Sequence, residues 1–285
     1  MSLRNLPEAK VGQRPKNFQW DAPADVLAKW AETPLAANAT DKNTITIMDV
    51  IGYDPWTGSG VTAKRISGAL RAIGENDVTV KINSPGGDMF EGIAIYNILR
   101  SHPAKVTVEV IGWAASAASI IAMAGDEIIM GLGTFMMVHN AWGVVVGNRH
   151  DMRDAATMFD GFDAALADIY VARTGMDRAA VETLMNAETF IGPTEAKDNG
   201  FADTIDDSLE ADTGASKNSK DQKVMARRRV EAAMAKAGIS RRDRSQTLAE
   251  ITGDHVAPRD ASHISAARDA GSTDALERLL KAIKS

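Results

Sequence analysis

Cysteine is absent from all 285 residues. That excludes disulfides, thiolate zinc sites and cysteine nucleophiles at once. No run of about 18 apolar residues is present to span a bilayer as a helix. The first twenty residues, MSLRNLPEAKVGQRPKNFQW, lack the apolar centre of a signal peptide. No Gly-x-x-x-x-Gly-Lys-Ser/Thr run exists, so ATP hydrolysis by a P-loop is excluded. Histidine is scarce too: His102, His139, His150, His255 and His263 are all there are. Any chemistry that needs an imidazole base must choose among five positions.

What is present is 45% apolar and 25% charged, with a net charge of −6. The length allows one domain of about 200 residues with extensions, or two small ones. The charge is uneven. Between Lys217 and Arg244 stand ten Lys or Arg against three Asp or Glu, so an acidic body precedes a basic segment. A solvated, partly helical tail is the simplest account of that segment, and contact with an acidic partner or nucleic acid is the less favoured alternative. The reading gives a soluble, cytoplasmic chain with no membrane partner, no nucleic-acid partner, no metal and no cofactor.

Periodicity divides the chain. Residues 1–20 are polar and read as a flexible arm, and DAPADVLAKWAE, from Asp21, reads as a short helix. NTITIMDVIG, DVTVKIN and AKVTVEVIG are β-rich runs. They alternate with GVTAKRISGALRAIG, stopped by Gly74, with MFEGIAIYNILRSH, and with an alanine-serine helix. EIIMG and TFMMVHN add two short strands. Two helices follow, NRHDMRDAATMFDGFDAALADIYVARTG and DRAAVETLMN, then a strand-like ETFIG and a short helix ending at Gly200. Strand and helix alternate four times between residues 44 and 131, the pattern of right-handed βα units. Periodicity is lost after Asp207, where a linker precedes the amphipathic segments VMARRRVEAAMAKAG and TDALERLLKAIKS. The expected division is an arm at 1–20, a folded domain at 21–207 and an extension at 208–285.

Two turns stand out. In INSPGGD, Ile82 to Asp88, Pro85 withholds a donor and two glycines permit dihedrals closed to other residues. Such a loop is either a tight strand-to-helix turn or a place where amides face a ligand oxygen at a helix start. One βα unit later, GWAASAAS sets Ser116 in the first turn of a helix, beside orphan amide donors. The N–H groups of Ala117 and Gly86 would then face one oxygen. A serine needs a base to take its proton. Only His139 ends an apolar strand in the segment after this serine. Ser119 lies a turn further in, where a hydroxyl bonds back to a carbonyl, and Ser116 is the preferred nucleophile. Met158, Phe159, Phe162 and Ile169 form a stripe along the long helix that reads as core or subunit packing.

INSPGGD, GWAASAAS, MMVHNAWG and ETFIGPTEAKDNGFAD occur in the order and spacing of the Clp protease proteolytic subunit. The text most resembles the Clp-like head maturation proteases of tailed phages and prophages, over residues 44 to 205. The resemblance implies an α/β, crotonase-like fold of repeated ββα units with a protruding handle helix. It implies an oligomeric serine endopeptidase with Ser116 as nucleophile and His139 as base. Glu188 stands where the family has an aspartate, and Asp198 and Asp203 are lesser candidates for that place. Gly86 and Ala117 fall on the oxyanion-hole positions. The segment after His139 resembles the start of the handle; its Val144 and Val145, with Gly87 of the INSPGGD turn, would hold an extended substrate, and an ordinary hairpin edge is the alternative for the two valines. The partners implied are peptide or protein substrates (capsid or scaffold proteins, in a bacterial host cell or within a procapsid) and copies of the chain in a heptameric ring or double ring. A partner ATPase is a further expectation.

Two other readings remain open at this point. The same fold supports serine–lysine peptidases and acyl-CoA hydratases, for which Lys81 and Lys105 are the available bases. A degenerate, ring-forming scaffold protein is the non-enzymatic alternative, with Glu188 as the mark of lost activity.

Overall fold

The computed structural model describes residues 6–10, 18–19, 42–53, 60–209 and 219–252. The helix expected from Asp21 and the amphipathic segment at residues 273–285 lie outside the described residues.

Residues 42–52 and 60–209 carry an α/β body built on a sheet of seven strands. In chain order its strands are β2 (Thr44–Ile47), β3 (Val78–Ser84), β4 (Val106–Ala115), β5 (Glu127–Gly131), β6 (Phe135–Val138), β8 (Thr189–Ile191) and β9 (Thr204–Asp206). A two-residue strand β1 (Phe18–Gln19) pairs antiparallel with β7 (Val144–Val145) in a separate ribbon. The main path runs β2-β3-β4-β5-β9, all parallel, as the alternation of strand and helix predicts. The helices are α1 (Ala63–Ile73), α2 (Met89–Arg100), α3 (Ala117–Ala122), α4 (Arg149–Thr174), α5 (Arg178–Asn186) and α6 (Pro193–Asp198).

The central strand β4 divides its length between two neighbours. Thr107 to Val110 pair with β5, and Trp113 to Ala115 pair with β6. The bend between them falls at Gly112, where a Cβ would stand 2.6 Å from the Asn83 side chain. Asn83 Oδ1 in turn accepts the Trp113 N–H at 3.2 Å. β4 thereby delivers its last residues to a different neighbour from its first. The core is aliphatic, as buried parallel strands require: Val80, Ile82, Val106, Val108 and Val110 in the strands, Ile95, Leu99 and Ile121 from the helices.

The helix limits follow local chemistry. Thr62 caps α1 by accepting the Arg65 N–H, and Gly74 closes it at φ 75°. Asp88 caps α2 through the amides of Phe90 and Glu91. Asn148 and Asp151 form a reciprocal capping box at the start of the 26-residue α4.

A second compact unit contains α7 (Ser219–Lys236) and α8 (Arg241–Thr252). The sequence pattern led to the first and read the second as coil. Ser240 Oγ donates to the Asp243 carboxylate at 2.8 Å and accepts the Asp243 N–H, a cap written in the text Ser-Arg-Arg-Asp. That local signal was available and outweighs a weak apolar face. Among the described residues no helix is long and apolar enough to cross a membrane.

Candidate active site

Ser116 is the single residue between the end of β4 and the first residue of α3. Its φ of 55° and ψ of −126° are an unusual conformation for a residue with a side chain. Such strain persists only where the surroundings impose it. Here they do. The Ser116 N–H donates to Met137 O at 2.8 Å, and its carbonyl accepts the Ser119 N–H at 2.9 Å. The turn is also hemmed in. A Cβ on Gly86 would lie 2.6 Å from Ser116 Cβ, and one on Gly92 would lie 2.9 Å from Ala117 Cβ. The small residues flanking Ser116 therefore let two chain segments close on a serine whose side chain is pushed out of the helix line.

His139 follows β6, the strand that lies beside the end of β4. It is buried, and its Nε2 stands 2.6 Å from Ser116 Oγ. The two candidate side chains thus come from adjacent strands, 23 residues apart in sequence, at a distance that would permit proton transfer. An open cleft in front of them is lined by Gly87, Ala117, Ile120, Ala141, Trp142 and Leu166, among others.

The two glycines of the INSPGGD turn have different jobs from those expected. Gly86 is buried, and its N–H is directed to Ser84 Oγ at 3.2 Å. Its carbonyl accepts the Ile51 N–H, while the Asp88 N–H donates to Ile51 O. Pairing on both sides of Gly87 leaves the Gly87 N–H pointing away from Ile51. Gly87 is half-buried and lines the cleft. The Gly86 N–H is thus taken up by Ser84, and Gly87 is the glycine of this turn that reaches the cleft, beside Ala117 at the start of α3. Gly86 is the spacer that allows the turn to close.

Val144 and Val145 were expected to offer a strand edge to substrate. In the structure they pair with Gln19 and Phe18 of the same chain. An edge of that strand is already taken by the N-terminal segment, a long-range pairing with no local signal.

Glu188 sits opposite His139. In the antiparallel β6–β8 pair, Val138 is level with Thr189, so extending the register by one residue brings His139 level with Glu188. The carboxylate itself is exposed, on a residue with φ 49°, and accepts no hydrogen bond among the described residues. Position and contact therefore separate: the backbone brings Glu188 beside His139, and the side chain does not bond to it. Asp198, at the end of α6, is exposed. Asp203 Oδ2 accepts the Ile128 N–H at 2.8 Å and forms an ion pair with buried Arg173, a structural assignment.

The remaining candidates are accounted for by their bonds. Ser119 is fully buried, donates to Ser116 O at 2.6 Å and lies 2.7 Å from the Tyr170 hydroxyl. Lys81 pairs with Glu109 and Lys105 with Glu127, each engaged along the sheet with a carboxylate. Neither is placed as a base for Ser116. Among the described residues no three His, Asp or Glu side chains converge as a metal site would need.

Sequence reasoning did not single out Tyr170, Leu166, Asp163 or Trp142. Tyr170 and Leu166 line the cleft from α4. Asp163 Oδ1 accepts the Ala141 N–H at 2.6 Å, and burial pushes its carboxyl above the usual range, while that N–H pulls it back. The signal available was the spacing 163, 166, 170 on one helix. It was obscured by the apolar stripe beside it, of which Phe162 and Ile169 are buried in the core.

A parallel sheet that hands a strained serine and a histidine to the same cleft defines a serine-hydrolase architecture of the α/β class. The comparison with known proteins is more particular. Residues 62–208 match the family model described as Clp protease, and the chain belongs to that family, whose members are serine-type peptidases. The chain is 30% identical over 142 residues to the ATP-dependent Clp protease proteolytic subunit of Deinococcus radiodurans, covering 49% of this chain and 70% of that one. The fold is similar to that of a mutant ClpP1 from Listeria monocytogenes, with a TM-score of 0.50 and 22% identity. That likeness covers 59% of this chain and 92% of the other.

Proposed function

We propose that this chain is a serine endopeptidase in which Ser116 attacks the scissile carbonyl and His139 takes its proton. The observation that carries the reading is the 2.6 Å contact between His139 Nε2 and Ser116 Oγ in a strained strand-to-helix turn. The imidazole removes the hydroxyl proton as the oxygen adds to the carbonyl, then returns it to the departing amine. Water repeats the sequence on the acyl-enzyme. The oxyanion is held by the Ala117 and Gly87 amides, each worth about 3 kcal/mol of transition-state stabilisation. Glu188, level with His139 across the β6–β8 pair, is the acid that orients the imidazole once its side chain turns inward.

The substrate class is inferred from the motif resemblance to head maturation proteases and from the basic segment around residues 217–244. It is capsid or scaffold protein, cut during phage head assembly by a homo-oligomer. A general Clp-type peptidase served by a partner ATPase is the alternative within the same chemistry. A degenerate scaffold protein is favoured by one observation, the exposed Glu188 carboxylate.

Labelling with a fluorophosphonate separates these. The wild-type chain should label at Ser116, Ser116→Ala should not, and His139→Ala should lose most of the rate. Glu188→Gln should lower kcat about 10²-fold if that carboxylate orients the base. A wild-type chain that never labels, assembled or not, leaves only the scaffold reading. Intact-mass comparison of wild type with Ser116→Ala then reports self-processing.

A further inference from the structure

The residues that hold the catalytic pair converge on one helix. We propose that α4 carries two positioning residues, Asp163 and Tyr170, which together hold the loop behind His139 and the turn at Ser116 in register. The proposal rests on the Ser116–His139 reading above.

Asp163 and Tyr170 are seven residues apart, close to two turns, and so project from the same face of α4. Leu166 lies between them and lines the cleft. At one end of this face, Asp163 accepts the N–H of Ala141, two residues beyond the base. Residues 139–143 have no strand or helix of their own, so side-chain tethers must place them. The second tether is Asn140 Nδ2 to Asn186 Oδ1 at 2.8 Å, on the exposed side. Asp163 is the inner one. It is half-buried, with Asp160 one turn before it adding a like charge. A carboxylate kept in that setting needs a specific acceptor role, and the short Ala141 contact supplies one.

At the other end, Tyr170 reaches the nucleophile turn through Ser119. Ser119 has one hydroxyl proton, and it goes to the Ser116 carbonyl at 2.6 Å. The Tyr170 hydroxyl, 2.7 Å away, is therefore the donor to Ser119. A phenol keeps its proton through the neutral range, and burial pushes that of Tyr170 further up, so it stays a donor well into alkaline conditions. One rigid element thus grips both backbone segments that must meet. A displacement of about 1 Å between reacting groups costs on the order of 10² in rate.

The test compares Asp163→Ala, Asp163→Asn and Tyr170→Phe with wild type in full-length protein. Turnover of a fluorogenic peptide and the fluorophosphonate labelling rate are the readouts. Asp163→Ala should lower kcat about tenfold or more, with a smaller change in KM. Asp163→Asn keeps an oxygen that accepts from Ala141 and should stay within about threefold of wild type. Tyr170→Phe should lower kcat several-fold. Should Asp163→Ala not fold, Asp163→Leu fills the same volume without an acceptor and is read in its place. Asp163→Ala at wild-type rate, or Asp163→Asn as slow as Asp163→Ala, overturns the proposal. If wild type does not label, the Ser116–His139 reading fails by itself. The positioning claim is then decided by a crystal structure of Asp163→Ala, and retention of the 2.6 Å His139–Ser116 contact overturns it.

Discussion

Gly86 is where the geometry makes its sharpest demand. A methyl group added there would stand 2.5 Å from Ala115 O, 2.6 Å from Ser116 Cβ and 2.9 Å from Ala117 N. None of these is the far end of a flexible side chain. All belong to the nucleophile turn, so Gly86→Ala must push that turn by roughly 1 Å to reach ordinary contact distance. The φ of 86° adds about 1–2 kcal/mol of backbone strain for any residue with a Cβ. Overpacking adds about 1–3 kcal/mol more. A total near 3 kcal/mol lowers Tm by about 6–12 °C in a body of this size. The displacement itself should cut the fluorophosphonate labelling rate about 10²-fold.

Gly133 supplies the control. It has a φ of 73°, and nothing lies within 4 Å of its Cβ position. Gly133→Ala meets the dihedral penalty of about 1–2 kcal/mol alone and should lower Tm by about 2–8 °C, less than Gly86→Ala does, with labelling unchanged. Calorimetry and labelling on the two variants separate strain from collision. A Gly86→Ala protein that melts with Gly133→Ala and labels like wild type would falsify the claim that this glycine is what lets the turn close.

Three further outcomes follow from the same structure. Ser116→Gly and Ser116→Ala should both lose labelling, but the glycine variant should be about 1 kcal/mol more stable, because only alanine keeps the strain at φ 55°. Equal melting temperatures would mean the turn is not strained. Arg173→Met leaves Asp203 without its buried cation and should destabilise by about 3 kcal/mol, and a denaturant midpoint that does not move would refute the pair's importance. Burial raises the Tyr96 phenol from 10.0 to about 12 and the Tyr170 phenol further. The unfolded chain releases these protons from about pH 10 while the folded chain retains them, so stability falls as pH rises from 10 to 12 and is insensitive to these groups below 10. Tyr96→Phe should flatten that fall in Tm, and an unchanged slope would count against it.

Much of the sheet was legible because its signals are local. β-rich runs of four to ten residues, interrupted by amphipathic helices of which the first is stopped by Gly74, describe parallel βα units in the text itself. What was not legible was pairing across distance. β9 is three residues long, and its place beside β5 depends on Arg173 holding Asp203, which also accepts the Ile128 N–H. β1 on β7 joins segments some 126 residues apart, with no pattern in either two-residue piece.

The site divides along the same line, and for a physical reason. Ser116 and His139 could be singled out together because each ends a strand, and strand ends are where a parallel sheet presents side chains to a cleft; the structure brings the two within 2.6 Å. The choice between Gly86 and Gly87 could not be made that way. Both are glycines in one turn, and only the pairing of Gly86 O and the Asp88 N–H with Ile51 decides which amide is turned outward. Asp163 and Tyr170 were harder still, since a helix face that mixes an acid, a leucine and a tyrosine has no signature apart from what it touches. Their meaning lies in Ala141 and Ser119, one on each side of the catalytic pair. On that proposal α4 is the element through which packing at a distance reaches the site. Leu166 and Tyr170 line the cleft from this helix, so anything that shifts it by a fraction of a turn, a neighbouring copy packed along it included, changes the cleft and the Ser116–His139 distance together. Labelling rates measured across protein concentration should then rise with assembly more steeply in wild type than in Asp163→Ala, where the helix no longer grips the base loop. Parallel curves would show that assembly acts on the site by some other route.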